Sequence, residues 1–184
     1  MQNVCVFCGA SPGKDPLFMV SAKALGAAIS SASMGLVYGG AHVGLMGQVA
    51  DAVLAGGQKV VGVIPEAFAK NVSHEGLTQL HVVDSMHTRK AMMFELADAS
   101  IALPGGFGTL EELTEVLTWA QLGFHQKPIG LLNINGYYDA LLAFFDQAVL
   151  AGFIKPVHLE LLIVHDDPTK LIKLLQGYQP PQVD

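Results

Sequence analysis

The sequence predicts a doubly wound α/β domain, a mainly parallel sheet with helices on both faces. Short, almost continuously apolar runs alternate with longer segments of helical period. Strands of a parallel sheet read that way because helical crossovers bury both faces. Glycines collect just after three of the apolar runs, where open parallel sheets bind their ligands. No repeat or low-complexity linker interrupts the alternation along the 184 residues, a length that suits one domain.

Each element has a local cause. Residues 4–8, Val-Cys-Val-Phe-Cys, form the first strand. Phe18, Ala22, Leu25 and Ile29 recur three or four apart, so 15–32 is a helix. A strand at 35–38 is followed by a helix at 43–54, which Gly56-Gly57 ends. The Val-rich strand 59–64 stops at Pro65, and 77–83 is the next strand. Helix 86–97 carries the apolar stripe Met86, Met93 and Leu96. A strand ending at 101–103 meets Pro104, and helix 109–122 follows. Strand 128–132, helix 137–151, strand 161–164 and helix 168–175 complete the alternation. The expected domain spans 1–176, with a polar tail at 177–184.

Composition removes several classes. Only 14% of residues are charged and the net charge is −6, against a usual charged share of about 25%. Disorder is disfavoured, and so is nucleic-acid binding, which needs a basic face. The charge deficit points to hidden surface, from a sheet covered on both faces or from an oligomer interface. The longest uncharged stretch, 24–50, contains six glycines, three serines and a histidine. It does not read as a membrane span. Residues 3–8 read as a strand rather than a leader, so a cytoplasmic location is expected. Cys5 and Cys8 are spaced C-x-x-C. Positions three apart in a strand face opposite ways, and no second pair exists to complete a zinc site. Two buried apolar cysteines are expected. No cofactor and no metal is expected.

The glycine loops are Gly9 with Ser11, Gly39-Gly40 with Gly44 and Gly47, and Gly105-Gly106 with Gly108. Such loops can turn several N–H groups toward an anion. Pro104-Gly105-Gly106-Phe107-Gly108-Thr109 follows a strand and opens a helix, where unpaired N–H groups and the helix dipole favour a phosphate. It matches neither G-x-G-x-x-G nor G-K-[ST], so NAD and ATP-driven chemistry are disfavoured. A monophosphate stays open. So does a turn without ligand, in which Thr109 and Glu112 merely form a T-x-x-E capping box. Glu111 and Glu115 share a helix face, and Glu112 is turned away from them. One carboxylate can therefore reach a pocket while two stay solvated or paired.

Arg89 is the single arginine among ten basic residues. It stands three after Met86 and four before Met93, on the inward stripe of its helix. An inward arginine needs a partner: either a structural ion pair with a carboxylate, or phosphate oxygens gripped in a bidentate fork. Lys90 is expected to be exposed.

These residues carry a resemblance. Ser85-Met86-His87-Thr88-Arg89-Lys90, followed by Leu103-Pro104-Gly105-Gly106-Phe107-Gly108-Thr109-Leu110-Glu111-Glu112, resembles the paired M-x-x-R-K and P-G-G-x-G-T-x-x-E motifs of the "Lonely Guy" family. These are cytokinin riboside 5′-monophosphate phosphoribohydrolases, often labelled lysine decarboxylases. Tyr38-Gly39-Gly40-Ala41 with Gly44-Leu45-Met46-Gly47 is similar to a further family loop, and Cys8-Gly9-Ala10-Ser11 to its first loop. Thr118-Trp119-Ala120-Gln121-Leu122-Gly123 and Lys127-Pro128 also match.

The resemblance implies a Rossmann-like fold, a homodimer, and cleavage of the N-glycosidic bond of AMP or N6-substituted AMP to free base and ribose 5-phosphate. It makes Arg89 and Glu112 the catalytic pair. The candidate substrate and phosphate contacts are Ser11, Gly39, Gly40, Met86, Lys90, Gly105, Gly106, Phe107, Gly108 and Thr109. Glu112 is expected to stabilise positive charge on the ribose. Arg89 is expected at the phosphate or purine, since beside C1′ it would oppose that charge. Two departures stand out: Ala41 replaces a family glycine, and Asn71 stands where a glutamate is common. The alternative is a nucleotide-binding module without catalysis. A decarboxylase would need a Schiff-base lysine, and no lysine sits in a telling context.

Overall fold

The structure, a computed structural model, describes residues 1–182. Val183 and Asp184, the end of the expected tail, lie outside the described residues. In chain order the elements are β1 Asn3–Phe7, α1 Pro16–Ser31, β2 Gly35–Tyr38, α2 Gly44–Ala55, β3 Val60–Pro65, α3 Glu66–Val72, β4 Gln79–Val83 and α4 Met86–Glu95. There follow β5 Ala99–Ala102, α5 Phe107–Gln121, β6 Ile129–Leu132, a 3-10 turn Ile134–Gly136, α6 Asp139–Leu150, α7 Pro156–Leu159, β7 Leu162–His165 and α8 Pro168–Gln176. Among the described residues no helix is long and apolar enough to cross a membrane.

All seven strands pair in parallel, in the order β4-β3-β2-β1-β5-β6-β7. The chain steps outward from β1 to β4, then returns to the other side of β1 with β5. The crevice between β1 and β5 is thus the point where winding reverses, and loops leaving the two strands diverge there.

Alternate strand residues feed two cores. Val4, Val6 and Cys8 pack with Leu25 and Ile29 of α1, Val49 of α2 and Leu171 of α8. Cys5 and Phe7 pack on the other face with Met93 of α4 and with Leu113 and Val116 of α5. Each such side chain contributes about 1.5–3 kcal/mol by leaving water. Leu25 is fully buried, so Leu25→Ala costs about 2–5 kcal/mol. Cys5 and Cys8 are free, buried and on opposite faces, as their spacing requires.

Helix starts follow their caps. Asp15, Ser85 and Asp167 accept backbone N–H groups at the starts of α1, α4 and α8. α2 and α5 begin without any side-chain cap. The structure differs from expectation in three places. α3 and α7 were not anticipated: α3 has seven residues, α7 four, and neither has a buried residue, so they carry no apolar stripe. The helix expected from 137 starts at Asp139, after the 3-10 turn. α5 begins at Phe107, two residues before the expected Thr109.

Candidate active site

Beyond the carboxyl ends of β1, β2, β3 and β5 lies a cavity of about 500 Å³, within the size of small-molecule sites. Arg89, Glu112 and Glu111 form its charged part, Gly9, Gly39, Gly106 and Gly108 its backbone side, and Met46, Ile64, Pro65, Phe68 and Val72 an apolar wall.

The charged part is assembled from two helices. α4 carries Arg89 and α5 carries Glu112, and both are 6% exposed. Arg89 donates from Nε to the carbonyl of Val63 at 3.2 Å and from Nη1 to Oε1 of Glu112 at 2.6 Å. A Cβ on Gly39 would collide with Nη2 of the same guanidinium; the glycine leaves the space that Arg89 occupies. Burial pushes the Glu112 carboxyl up, Arg89 pulls it down, and the balance is upward.

The capping-box reading of Thr109 and Glu112 does not hold. The N-cap of α5 is Gly106, which has no side chain to offer. Thr109 therefore sits at the third helical position, and Glu112 bonds to Arg89 instead of reaching back. α2 also starts uncapped, at Val43, and both helix starts border the cavity. Unpaired N–H groups and positive dipole ends from two helices favour an anion there.

Lys90 is not exposed as expected. Its side chain is 9% exposed and its ammonium pairs with Glu111 and, at 3.0 Å, with Glu115. Burial alone lowers its pKa, but the two carboxylates outweigh that and raise it, so it stays charged. The three acids divide by partner as helical geometry requires, Glu111 and Glu115 on Lys90 and Glu112 on Arg89, but Glu111 as well as Glu112 lines the cavity.

Of the anticipated site residues, Gly39, Met86, Arg89, Gly106, Gly108, Thr109 and Glu112 line the cavity. The others lie outside its lining. Ser11 is exposed and accepts from the Gly13 N–H. Gly40 holds a left-handed turn at φ 76°. Gly105 packs beneath the loop, where a Cβ would meet Thr109. Phe107 is 93% exposed. Arg89, expected at phosphate or purine, touches Glu112 directly, so the two act as one unit.

The reading of the sequence missed the apolar wall, although Phe68 and Val72, four apart, carried a signal. It also missed Cys8 at the cavity edge, whose thiol burial pushes far up, keeping it protonated and inert. Ala41, in place of the family glycine, lines the cavity and bridges to Ser73. Asn71 is exposed and lies outside the lining. A second cavity, about 310 Å³, opens between α5, α6, α7 and β7; it has neither the ion pair nor the glycine loops. Among the described residues no group of three or more potential metal ligands occurs.

A parallel sheet with two uncapped helix starts at its switch point, and a buried arginine–carboxylate pair between them, defines a Rossmann-like protein shaped to receive a small phosphorylated ligand. The chain belongs to the family of cytokinin riboside 5′-monophosphate phosphoribohydrolases. A family model described as "Possible lysine decarboxylase" matches residues 46–175. A cytokinin riboside 5′-monophosphate phosphoribohydrolase of Arabidopsis thaliana is 48% identical over 180 residues, covering 97% of this chain and 83% of its own. One from Rhodococcoides fascians is 53% identical over 168 residues, covering 90% and 85%. The molybdenum cofactor binding protein of Rippkaea orientalis superposes with a TM-score of 0.72 over 96% of both chains, at 24% identity; that likeness shows a shared fold.

Proposed function

We propose that this chain hydrolyses the N-glycosidic bond of AMP or N6-substituted AMP, giving free base and ribose 5-phosphate. The observation that carries the reading is the buried Arg89–Glu112 pair, 2.6 Å apart, in the same cavity as the uncapped start of α5. The 5′-phosphate takes the N–H groups of the glycine loop, and the base lies along the apolar wall. As the C1′–N9 bond breaks, its electron pair leaves with the purine and positive charge grows on the ribose. Glu112 stabilises that charge, with Arg89 holding it ionised and oriented. Water adds its oxygen to C1′ and its proton is taken up by the departing base. Met86 and Thr109 border the substrate.

A Schiff-base decarboxylase is a poorer match, because among the described residues no lysine lines the cavity. Incubation with AMP and with N6-isopentenyl AMP, followed by chromatography for free base and ribose 5-phosphate, tests the reading. Release of both products is expected, and binding without release leaves only a nucleotide-binding module.

We further propose a homodimer formed through α6 and the turn that follows it. No residue of α6 is buried, and Phe144, Leu150 and Phe153 are 60%, 90% and 85% exposed, an apolar patch that marks an association surface. Analytical ultracentrifugation should give a dimer, and Leu150→Asp with Phe153→Asp a monomer. Cytoplasmic residence belongs to the same proposal and is checked by cell fractionation.

A further inference from the structure

The turn between β6 and α6 grips the glycine loop from behind without entering the cavity. Tyr137 donates its hydroxyl to the carbonyl of Gly105 at 2.6 Å, and Tyr138 donates to the carbonyl of Leu103 at 2.7 Å. The two carbonyls in register with them are also taken. Pro104 accepts from the Gly9 N–H at 3.1 Å, and Gly106 from the Leu110 N–H at 3.1 Å. Four successive carbonyls, Leu103 to Gly106, are therefore all engaged with the protein.

This fixes where the N–H groups point. A trans peptide directs its N–H opposite to its C=O, and no peptide bond among the described residues is cis. Holding the Gly105 carbonyl aims the Gly106 N–H away from Tyr137, and holding the Pro104 carbonyl aims the Gly105 N–H away from Gly9. Neither N–H has a hydrogen-bond partner among the described residues. A glycine pair has few intrinsic restraints on its peptide planes, so without the Tyr137 anchor the N–H of Gly106, which lines the cavity, would lose its fixed direction.

The turn itself is rigid. Asn133 accepts from the Tyr138 N–H at 2.8 Å and donates to Asp139 at 2.7 Å. Asn135 holds a left-handed φ of 50° and donates to Asp15, the cap of α1, at 3.2 Å. The Tyr137 ring meets Phe18 edge-on, at 5.4 Å between centroids. The same turn therefore braces the loop after β1 as well as the loop after β5.

We infer that Tyr137 is a positioning residue: its hydroxyl holds the Gly105 carbonyl back so that the loop presents the Gly106 N–H to the phosphate of the substrate. The inference rests on the proposed function for the identity of that anion. Tyr137 is 44% exposed, so Tyr137→Phe keeps the ring packing and removes only the hydroxyl.

The test compares wild type and Tyr137→Phe by titration calorimetry with inorganic phosphate and by kinetics on AMP and on adenosine, which lacks the phosphate. Expected are a KM for AMP raised about tenfold, phosphate affinity weakened by the same factor, and kcat within about twofold. The thermal midpoint and adenosine cleavage should stay unchanged. Tyr138→Phe is the contrasting variant: the Leu103–Pro104 peptide it frees carries no N–H, so phosphate affinity should stay within about twofold even where the thermal midpoint falls, since Tyr138 is 2% exposed. Unchanged phosphate affinity in Tyr137→Phe overturns the inference, as does a loss of the same size in Tyr138→Phe, equal loss on AMP and adenosine, or a wild type that binds no phosphate. If wild type binds phosphate yet releases no base from AMP, the hydrolase reading fails, and the phosphate titration still decides the role of Tyr137.

Discussion

Nη1 of Arg89 stands 2.6 Å from Oε1 of Glu112, with side chains 8% and 7% exposed. Taking both charges out of water costs several kcal/mol per ion, and a buried pair is often no more stable than apolar residues of the same volume. Stability therefore gives little reason for the pair; under the proposed function it places a carboxylate where positive charge develops.

That gives opposite expectations for stability and activity. Arg89→Met alone strands a buried carboxylate and should destabilise by about 3–5 kcal/mol. Arg89→Met with Glu112→Leu should be neutral or more stable by about 1–4 kcal/mol. Urea unfolding measures both. Base release should fall by about a hundredfold or more in each variant, and in Glu112→Ala, which should still bind AMP. A double variant as unstable as the single one would mean the pair stabilises the fold.

Glu112 must be ionised to oppose charge on the ribose, so turnover should fall as pH drops through its pKa. Burial places that pKa above the ordinary value, which is about 4.3. The acid limb of kcat should lie correspondingly high, and Arg89→Gln should move it further up because the one strong lowering influence is gone. Stability runs the other way. The folded state binds the proton more tightly than the unfolded chain, so stability from this group falls as pH rises from about 4.3 through the raised value. A kcat profile flat across this range would remove Glu112 from the role.

Lys90 follows Arg89 in sequence but serves the two outer acids, Glu111 and Glu115. In a chain of net charge −6, freeing two carboxylates beside an anion site repels the substrate. Lys90→Met should raise KM for AMP several-fold, more at low salt than at high salt. Adding Glu111→Gln and Glu115→Gln should recover most of it. Failure of that recovery would show that the ammonium itself reaches the phosphate.

Much of this was legible in residue order. Parallel strands buried on both faces leave continuous apolar runs, and the stripe Met86–Arg89–Met93 pointed to a buried guanidinium, although of the stripe's apolar members only Met93 is buried, with Met86 46% and Leu96 36% exposed. The direct contact of Arg89 with Glu112 was not legible from spacing, because the two stand 23 residues apart on different helices; only the family resemblance had paired them. The T-x-x-E pattern misled for a local reason: Phe107 and Gly108 already belong to α5, so the threonine lies inside the helix. α3 and α7 bury no residue and show no period. Tyr137 and Tyr138 read as the opening of a helix, since hydroxyls that reach back to carbonyls more than thirty residues away leave no mark on spacing.

Gly106 and Gly108 separate the needs of the fold from the needs of the ligand. A Cβ at either position meets nothing within 4 Å, and neither has positive φ. Gly39 differs, because its Cβ would strike Arg89. The protein alone therefore has no use for glycine at 106 or 108, whereas a phosphate brought against their N–H groups would meet the added methyl. Gly108→Ala, in the first turn of α5, should leave the fold intact and stabilise it by about 0.4–1 kcal/mol by restricting the unfolded chain. Its KM for AMP should rise about tenfold or more, as expected when a donor to a charged group is displaced. Gly39→Ala should instead lose turnover, through displacement of the guanidinium. Thermal unfolding and steady-state kinetics on the two variants read this directly. An unchanged KM in Gly108→Ala would move the phosphate away from the start of α5.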